Sequence, residues 1–118
     1  MSTDVHSALT VERWRLAGAN VVVANGDLDL GTVRRLRWSV DSVAPGSGPL
    51  ILDLSGIDFV GSVGVAALRE VARRTLAFRI DFRLVCSDAV ARVLDQVGVL
   101  DEFVVFESQS EALADPES

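Results

Sequence analysis

Lysine is missing from the 118 residues; all 11 basic side chains are arginine. A P-loop lysine, a Schiff-base lysine and a lysine general base are therefore each impossible. Cysteine occurs once, at Cys86, and histidine once, at His6. One thiol cannot close an internal disulfide, and the pair leaves no set of soft ligands for a structural zinc or an iron–sulfur centre, so no metal and no cofactor is expected. Long apolar runs are missing too. Stretches such as Ala19 to Ala24, broken by Asn20, fall far short of the roughly 20 residues that span a bilayer. Met1-Ser2-Thr3-Asp4 has neither the basic nor the apolar region of a signal peptide, which makes a cytoplasmic protein with no membrane partner the expectation. A net charge of −6 and a pI near 4.6 oppose a phosphate backbone, so nucleic acid is not an expected partner. Arg34, Arg35 and Arg37, and Arg73 and Arg74, read as solvated helix faces.

What is present is enough for one folded domain. Hydrophobic residues make up 49% and charged residues 24%, well away from the composition of disordered chains, and 118 residues leave no room for a second core. The expected organisation is a flexible N-terminus over 1–7, a domain over 8–113 and a disordered tail over 114–118. Leu9 to Leu16 and the β-branched run Val21 to Ala24 predict a hairpin turning at 17–20. Val33, Leu36, Val40 and Val43 recur at helical spacing, with Asp29 upstream as a candidate cap. Pro45-Gly46-Ser47-Gly48-Pro49 is a loop, and Leu50 to Leu54 suits a central strand. A second helix spans Ser62 to Leu76, burying Ala67, Leu68, Val71, Ala72 and Thr75 and exposing Ser62, Ala66, Arg69 and Arg73. Ile80, Phe82 and Leu84 alternate with Asp81 and Arg83 as a strand. Val90, Val93, Leu94 and Val97 predict a helix ending at Gly98, Phe103 to Phe106 a last strand, and Glu107 to Leu113 a short polar helix. Strands alternating with helices imply an α/β fold: a small, mostly parallel mixed sheet with an antiparallel N-terminal edge strand and about four helices.

Catalytic chemistry finds few candidates. His6 lies in the N-terminal segment without a positioned partner, and Cys86 has no histidine to activate it and reads as a core residue. Asp27 and Asp29 share a face of an extended chain and suit either capping or a cation or partner contact. Asp53 and Asp58 flank a Ser55-Gly56 turn, where local amide bonds are expected rather than a dyad. Gly46-Ser47-Gly48 precedes a strand, the wrong order for a dinucleotide loop. Gly61-Ser62-Val63-Gly64 does open a helix, where free amides and the helix dipole favour negative charge. Ser62 is therefore either an ordinary N-cap or a place where a bound anion or a covalent phosphate is tolerated.

The stretch Leu52-Asp53-Leu54-Ser55-Gly56-Ile57-Asp58-Phe59-Val60-Gly61-Ser62-Val63-Gly64 resembles the STAS domain of bacterial anti-sigma factor antagonists, whose strand "Leu-Asp-Leu-Ser" leads through "Phe-x-Asp-Ser-Ser-Gly" into a helix. Gly26-Asp27-Leu28-Asp29-Leu30 is similar to the family's "Gly-Glu-Leu-Asp-Leu", and Leu84-Val85-Cys86 through Leu94 and Gly98 to its last strand and helix. The resemblance implies a STAS-like fold and a non-catalytic partner-switching regulator of transcription. Such a protein binds an anti-sigma factor serine kinase, is released when that kinase phosphorylates a serine at a helix start, and is reset by a phosphatase. Carried onto this chain, the phosphoacceptor is Ser62. Two positions depart from the pattern: Gly61 stands where the family has Asp, and Val63 where a second Ser often follows.

The partner surface implied by this reading comprises Asp27, Asp29, Gly61, Ser62, Val63, Gly64, Val65 and Arg69. Val65 neighbours Ser62 on the helix and suits either a partner anchor or the edge of the core. Trp38 falls outside the buried arc of the first helix; partial burial by neighbouring chain is its bland reading and a binding hot spot its sharp one. The alternative function is a ligand- or nucleotide-sensing module, or a sensory-complex subunit that phosphorylation does not switch. An enzyme is the third class, and no nucleophile–base pair can be assembled for it.

Overall fold

The computed structural model describes residues 9–115; His6 and the expected flexible N-terminus lie outside them. The hairpin forms first in the chain. β1 (Leu9–Leu16) pairs antiparallel with β2 (Ala19–Leu28), and the turn between them is only Ala17 and Gly18, both at positive φ. Two such residues match the twist of the flanking strands, which is why the turn is tighter than the four residues expected. β3 (Leu50–Val60), β4 (Phe82–Cys86) and β5 (Val105–Phe106) then add in parallel, giving the order β1-β2-β3-β4-β5.

Three helices cover one face of this sheet. α1 (Val33–Asp41), α2 (Ser62–Ala77) and α3 (Asp88–Gln96) contribute Leu36, Val40, Leu68, Val71, Val90 and Leu94 to one core with Val22, Ala24, Leu50, Leu52, Leu54 and Leu84. Strand side chains alternate between faces. Ile51, Val85, Ala19 and Val21 accordingly point the other way, against Ala112 of α4 (Gln109–Ala114). Arg83 is on that second face as well. The alternation predicted a solvent-facing side chain, yet Arg83 is 4% exposed, because α4 covers it. It pairs with Asp81 at 2.8 Å and donates to the carbonyls of Ala112 and Asp115. α4 reaches Ala114, one residue beyond the domain boundary read from the sequence, and residues 116–118 lie outside the described chain.

β3 runs six residues past the expected end, and Ser55-Gly56 is not a turn. Val23 pairs with Asp53 but Asn25 with Gly56, so Leu54 and Ser55 together oppose Ala24. A second slip leaves Asp58 unpaired between Ile57 and Phe59. Both are bulges, which bend a strand and increase its twist without ending it. The last strand is shorter than expected, because a single 3₁₀ turn, Leu100–Glu102, precedes it and Phe103 packs edge-to-face on Phe82 at 6.5 Å.

α2 and α3 end in the same way. After α3, Gly98 is at φ +77°, with Gly98 N–H donating to Asp95 and Val99 N–H to Leu94. This Schellman arrangement places Val99 in the core and leaves Val97 exposed, reversing the sequence expectation for Val97. After α2 the left-handed position is held by Arg79 at φ +60°, with Arg79 N–H donating to Leu76 and Ile80 N–H to Thr75.

Candidate functional site

Parallel strands put their C-terminal ends, and the helix starts that follow, on one end of the sheet. β2 ends at Leu28 and β3 at Val60, paired in register, with Asp27 beside Phe59. The amide of Gly61 donates to the Leu28 carbonyl at 3.0 Å, and this bond anchors the start of α2 to the end of β2. Gly64 tightens the junction. A Cβ there would sit 3.0 Å from the Leu28 carbonyl oxygen and 3.1 Å from its Cβ, so only glycine lets the first turn lie this close to the strand.

The N-cap is Gly61, in extended backbone and without a side-chain cap bond, and Ser62 is the first helical residue. The ordinary-cap reading of Ser62 is thereby removed. Its side chain is exposed and has no hydrogen bond among the described residues. The amides of Ser62, Val63 and Gly64 belong to the first turn and have no intrahelical acceptor, whereas Val65 N–H donates to Gly61 at 3.0 Å. An exposed hydroxyl thus stands at the positive end of a 16-residue helix, in a first turn whose amides have no intrahelical acceptor.

Exposed apolar side chains occur where β2 and β3 end and α2 begins. Leu30 is 76% exposed, Phe59 53% and Val63 38%. Phe59 lies against Gly61, within 3.3 Å of where a Cβ would be. The sequence reading named Val63 but not Leu30 or Phe59, although an apolar residue in a strand-to-helix loop is the signal that finds Leu30. Val65 is half-buried against the main core.

The two acids of the β2 end differ. Asp29 Oδ1 accepts from Gly31 N–H at 2.9 Å rather than capping a helix amide, and its carbonyl accepts from Thr32 and Val33. Thr32 locks the loop, donating to the Asp27 carbonyl at 2.7 Å and accepting from Asp29 N–H. The Asp27 carboxylate is half-buried, with no ion pair among the described residues. Asp53 bonds locally as expected, accepting from the Ser55 amide at 2.9 Å and hydroxyl at 2.7 Å. Arg69 does not join the site. It lies two turns along α2, where its guanidinium forks onto Glu102 at 2.8 and 3.0 Å. That hydrogen bond raises the pKa of Arg69 and lowers that of Glu102.

Cys86 sits at the core edge, where burial first and Asp88 second push its thiol up. Trp38 is not covered by neighbouring chain; it is 70% exposed, with the Arg13 guanidinium 5.7 Å above its ring. Among the described residues no three His, Cys, Asp or Glu side chains converge as metal ligands, and no helix is long and apolar enough to cross a membrane.

The described residues thus form a five-stranded mixed sheet with three helices on one face and α4 on the other, and an exposed helix start at the ends of β2 and β3. The chain belongs to the STAS domain family, whose sequence model matches residues 13–112. It is 31% identical over 117 residues to the anti-sigma-F factor antagonist RsfA of Mycobacterium tuberculosis, covering 96% of this chain and 91% of that protein. An anti-sigma factor antagonist from Mycobacterium paratuberculosis superposes with a TM-score of 0.79 at 26% identity, covering 91% of this chain and 92% of that one. The phosphorylated form of the Bacillus cell fate determinant SpoIIAA shares the fold, with a TM-score of 0.65 at 20% identity over 90% of this chain and 96% of that one.

Proposed function

We propose that the chain is an anti-sigma factor antagonist that binds an anti-sigma factor kinase through the end of the sheet around Ser62 and is released when that serine is phosphorylated. The observation that carries this reading is the exposed Ser62 hydroxyl at the start of α2, without a hydrogen bond among the described residues, together with exposed Leu30, Phe59 and Val63 along the adjoining strand ends and helix start. Fully burying one such side chain contributes roughly 1.5–3 kcal/mol, so three of them supply much of a partner's affinity. A phosphate adds about −1.5 to −2 charges to a surface that must be desolvated on binding, and so releases the partner. The name of RsfA, and the phosphorylated form in which SpoIIAA has been solved, point the same way. Asp27, whose carboxylate has no ion pair among the described residues, is available to an arginine of the kinase, and a phosphatase resets the switch. The protein acts by binding in the cytoplasm, with no turnover of its own.

The direct experiment is incubation of purified protein with ATP and a lysate of its source, followed by mass spectrometry of the Ser62 peptide, with Ser62→Ala as control. Phosphate confined to Ser62 is the expected result. Ser62→Glu should weaken kinase binding while Ser62→Ala keeps it; a Glu variant that binds unchanged removes the switch. A second reading rests on Gly61, which supplies no carboxylate where the family has Asp: a constitutive binder, or an anion- or nucleotide-sensing module at the free amides of Ser62 to Gly64. Saturable nucleotide binding followed by Trp14 and Trp38 fluorescence, with no phosphate on Ser62, favours it.

A further inference from the structure

Charges of opposite sign are sorted to opposite edges of the sheet. β1 and α1 hold five of the 11 arginines, against two carboxylates, Glu12 and Asp41. Residues 88–115, which carry α3, the 3₁₀ turn, β5 and α4, hold seven carboxylates and one arginine, Arg92. β1 and β5 are the two outer strands. A chain of net charge −6 therefore has a cationic flank and, across the sheet from it, an anionic one.

Each flank has a shape that suits the other. On the cationic side Trp38 projects, 70% exposed, with Arg13 stacked on one face of its ring. Arg13 also donates to the Ser42 hydroxyl, and neither it nor Arg34, one turn before Trp38, has an ion pair among the described residues. On the anionic side Asp95, Gly98, Leu100 and Asp101 line an open concavity of about 450 Å³. Gly98 contributes no side chain, Leu100 is half-buried at its wall, and both carboxylates are exposed without an ion pair among the described residues.

We propose that the chain self-associates head to tail, with Trp38 of one copy, flanked by Arg13 and Arg34, seated between Asp95 and Asp101 of a second copy. Tryptophan and arginine are the residues that most often dominate protein interfaces, and complementary charge sets register and speeds encounter. The occupant is a second copy because both halves of the contact, matched in charge and shape, are on this one chain. The two halves are different surfaces, so the contact is heterologous and copies add in a row rather than closing as a two-fold dimer. None of these residues belongs to the Ser62 surface, and the inference stands without the proposed function.

Sedimentation velocity on the full chain from micromolar to millimolar concentration tests it. At low salt the weight-average mass should climb with concentration beyond that of a dimer, and 0.5 M NaCl should suppress the climb. Arg34→Glu and Asp101→Arg should each weaken self-association by ~10-fold or more, because each sets like charges face to face. Mixed in equal amounts the two variants should regain self-association, since the intact acidic half of the first takes the intact cationic half of the second and at the alternate junction the two reversed charges attract each other. Circular dichroism of each variant verifies the fold. A chain that stays monomeric throughout, a self-association that both variants retain, or a mixture that remains monomeric when the wild type associates would each overturn the proposal.

Discussion

Gln109 donates to the Asp53 carboxylate across 2.7 Å, although 56 residues separate them in the chain. Asp53 is 6% exposed, and its other oxygen is held by the Ser55 amide and hydroxyl at the first bulge of β3. α4 is thus fixed to an irregularity of the central strand at one end and to Arg83 at the other.

Gln109→Leu leaves a buried carboxylate short of a donor, which costs about 1–3 kcal/mol. Urea denaturation should show the unfolding free energy fall by that amount, with the midpoint moving to lower urea. Gln109→Glu should be worse, since it sets a second carboxylate against the first. A midpoint unchanged in both variants would show that the clasp adds nothing to stability.

Arg79 occupies a left-handed position that the Schellman end of α2 requires. Glycine adopts that backbone without the Cβ penalty, so Arg79→Gly should stabilise the fold by about 0.5–1 kcal/mol despite the larger freedom of glycine when unfolded. The melting temperature should rise by a few degrees. A fall would mean that the arginine side chain contributes more than its backbone conformation costs.

Phe59 is more than half exposed and packs on Gly61. Phe59→Ala should leave thermal stability within about 0.5 kcal/mol, as for surface substitutions generally, while reducing affinity for the anti-sigma factor at least about tenfold. Isothermal titration against the purified partner separates the two effects. Loss of stability with affinity intact would assign Phe59 to the fold.

The Cys86 thiol is pushed up, chiefly by burial. Alkylation needs the thiolate, so iodoacetamide labelling of the folded chain should rise with pH later than labelling of the urea-unfolded chain. The folded state keeps the proton longer, so over the window between the unfolded and folded pKa values stability declines as pH rises. Superimposable labelling profiles in the two states would contradict the shift.

Much of this was legible from periodicity. The three helices, the central strand and the antiparallel edge follow from spacing alone, as does the helix start at Gly61 to Gly64, on which the resemblance at Leu52 to Gly64 then converges. What was not legible depended on partners distant in sequence. Arg83 reads as a surface residue until α4 is known to lie over it, and Ser55-Gly56 reads as a turn until β2 shows that pairing resumes beyond it. Val97 and Val99 are equally apolar; only the Gly98 reversal decides which is buried. Leu30 carries a sequence signal as an apolar residue in a strand-to-helix loop, whereas Phe59 does not, because it continues an apolar strand and its exposure is decided by what fails to pack against it.

Since the strands stand side by side in the order in which they are made, each one leaving the ribosome finds its neighbour already present. The sheet grows from a single edge and never has to open to admit a late arrival. The cover of the second face follows the last strand: Ala112, which seals Val21, Ile51 and Val85, lies in α4, after β5. An emerging chain can therefore complete its sheet and the helical layer on one face while the other apolar face is still bare, a state that is adhesive rather than unfolded.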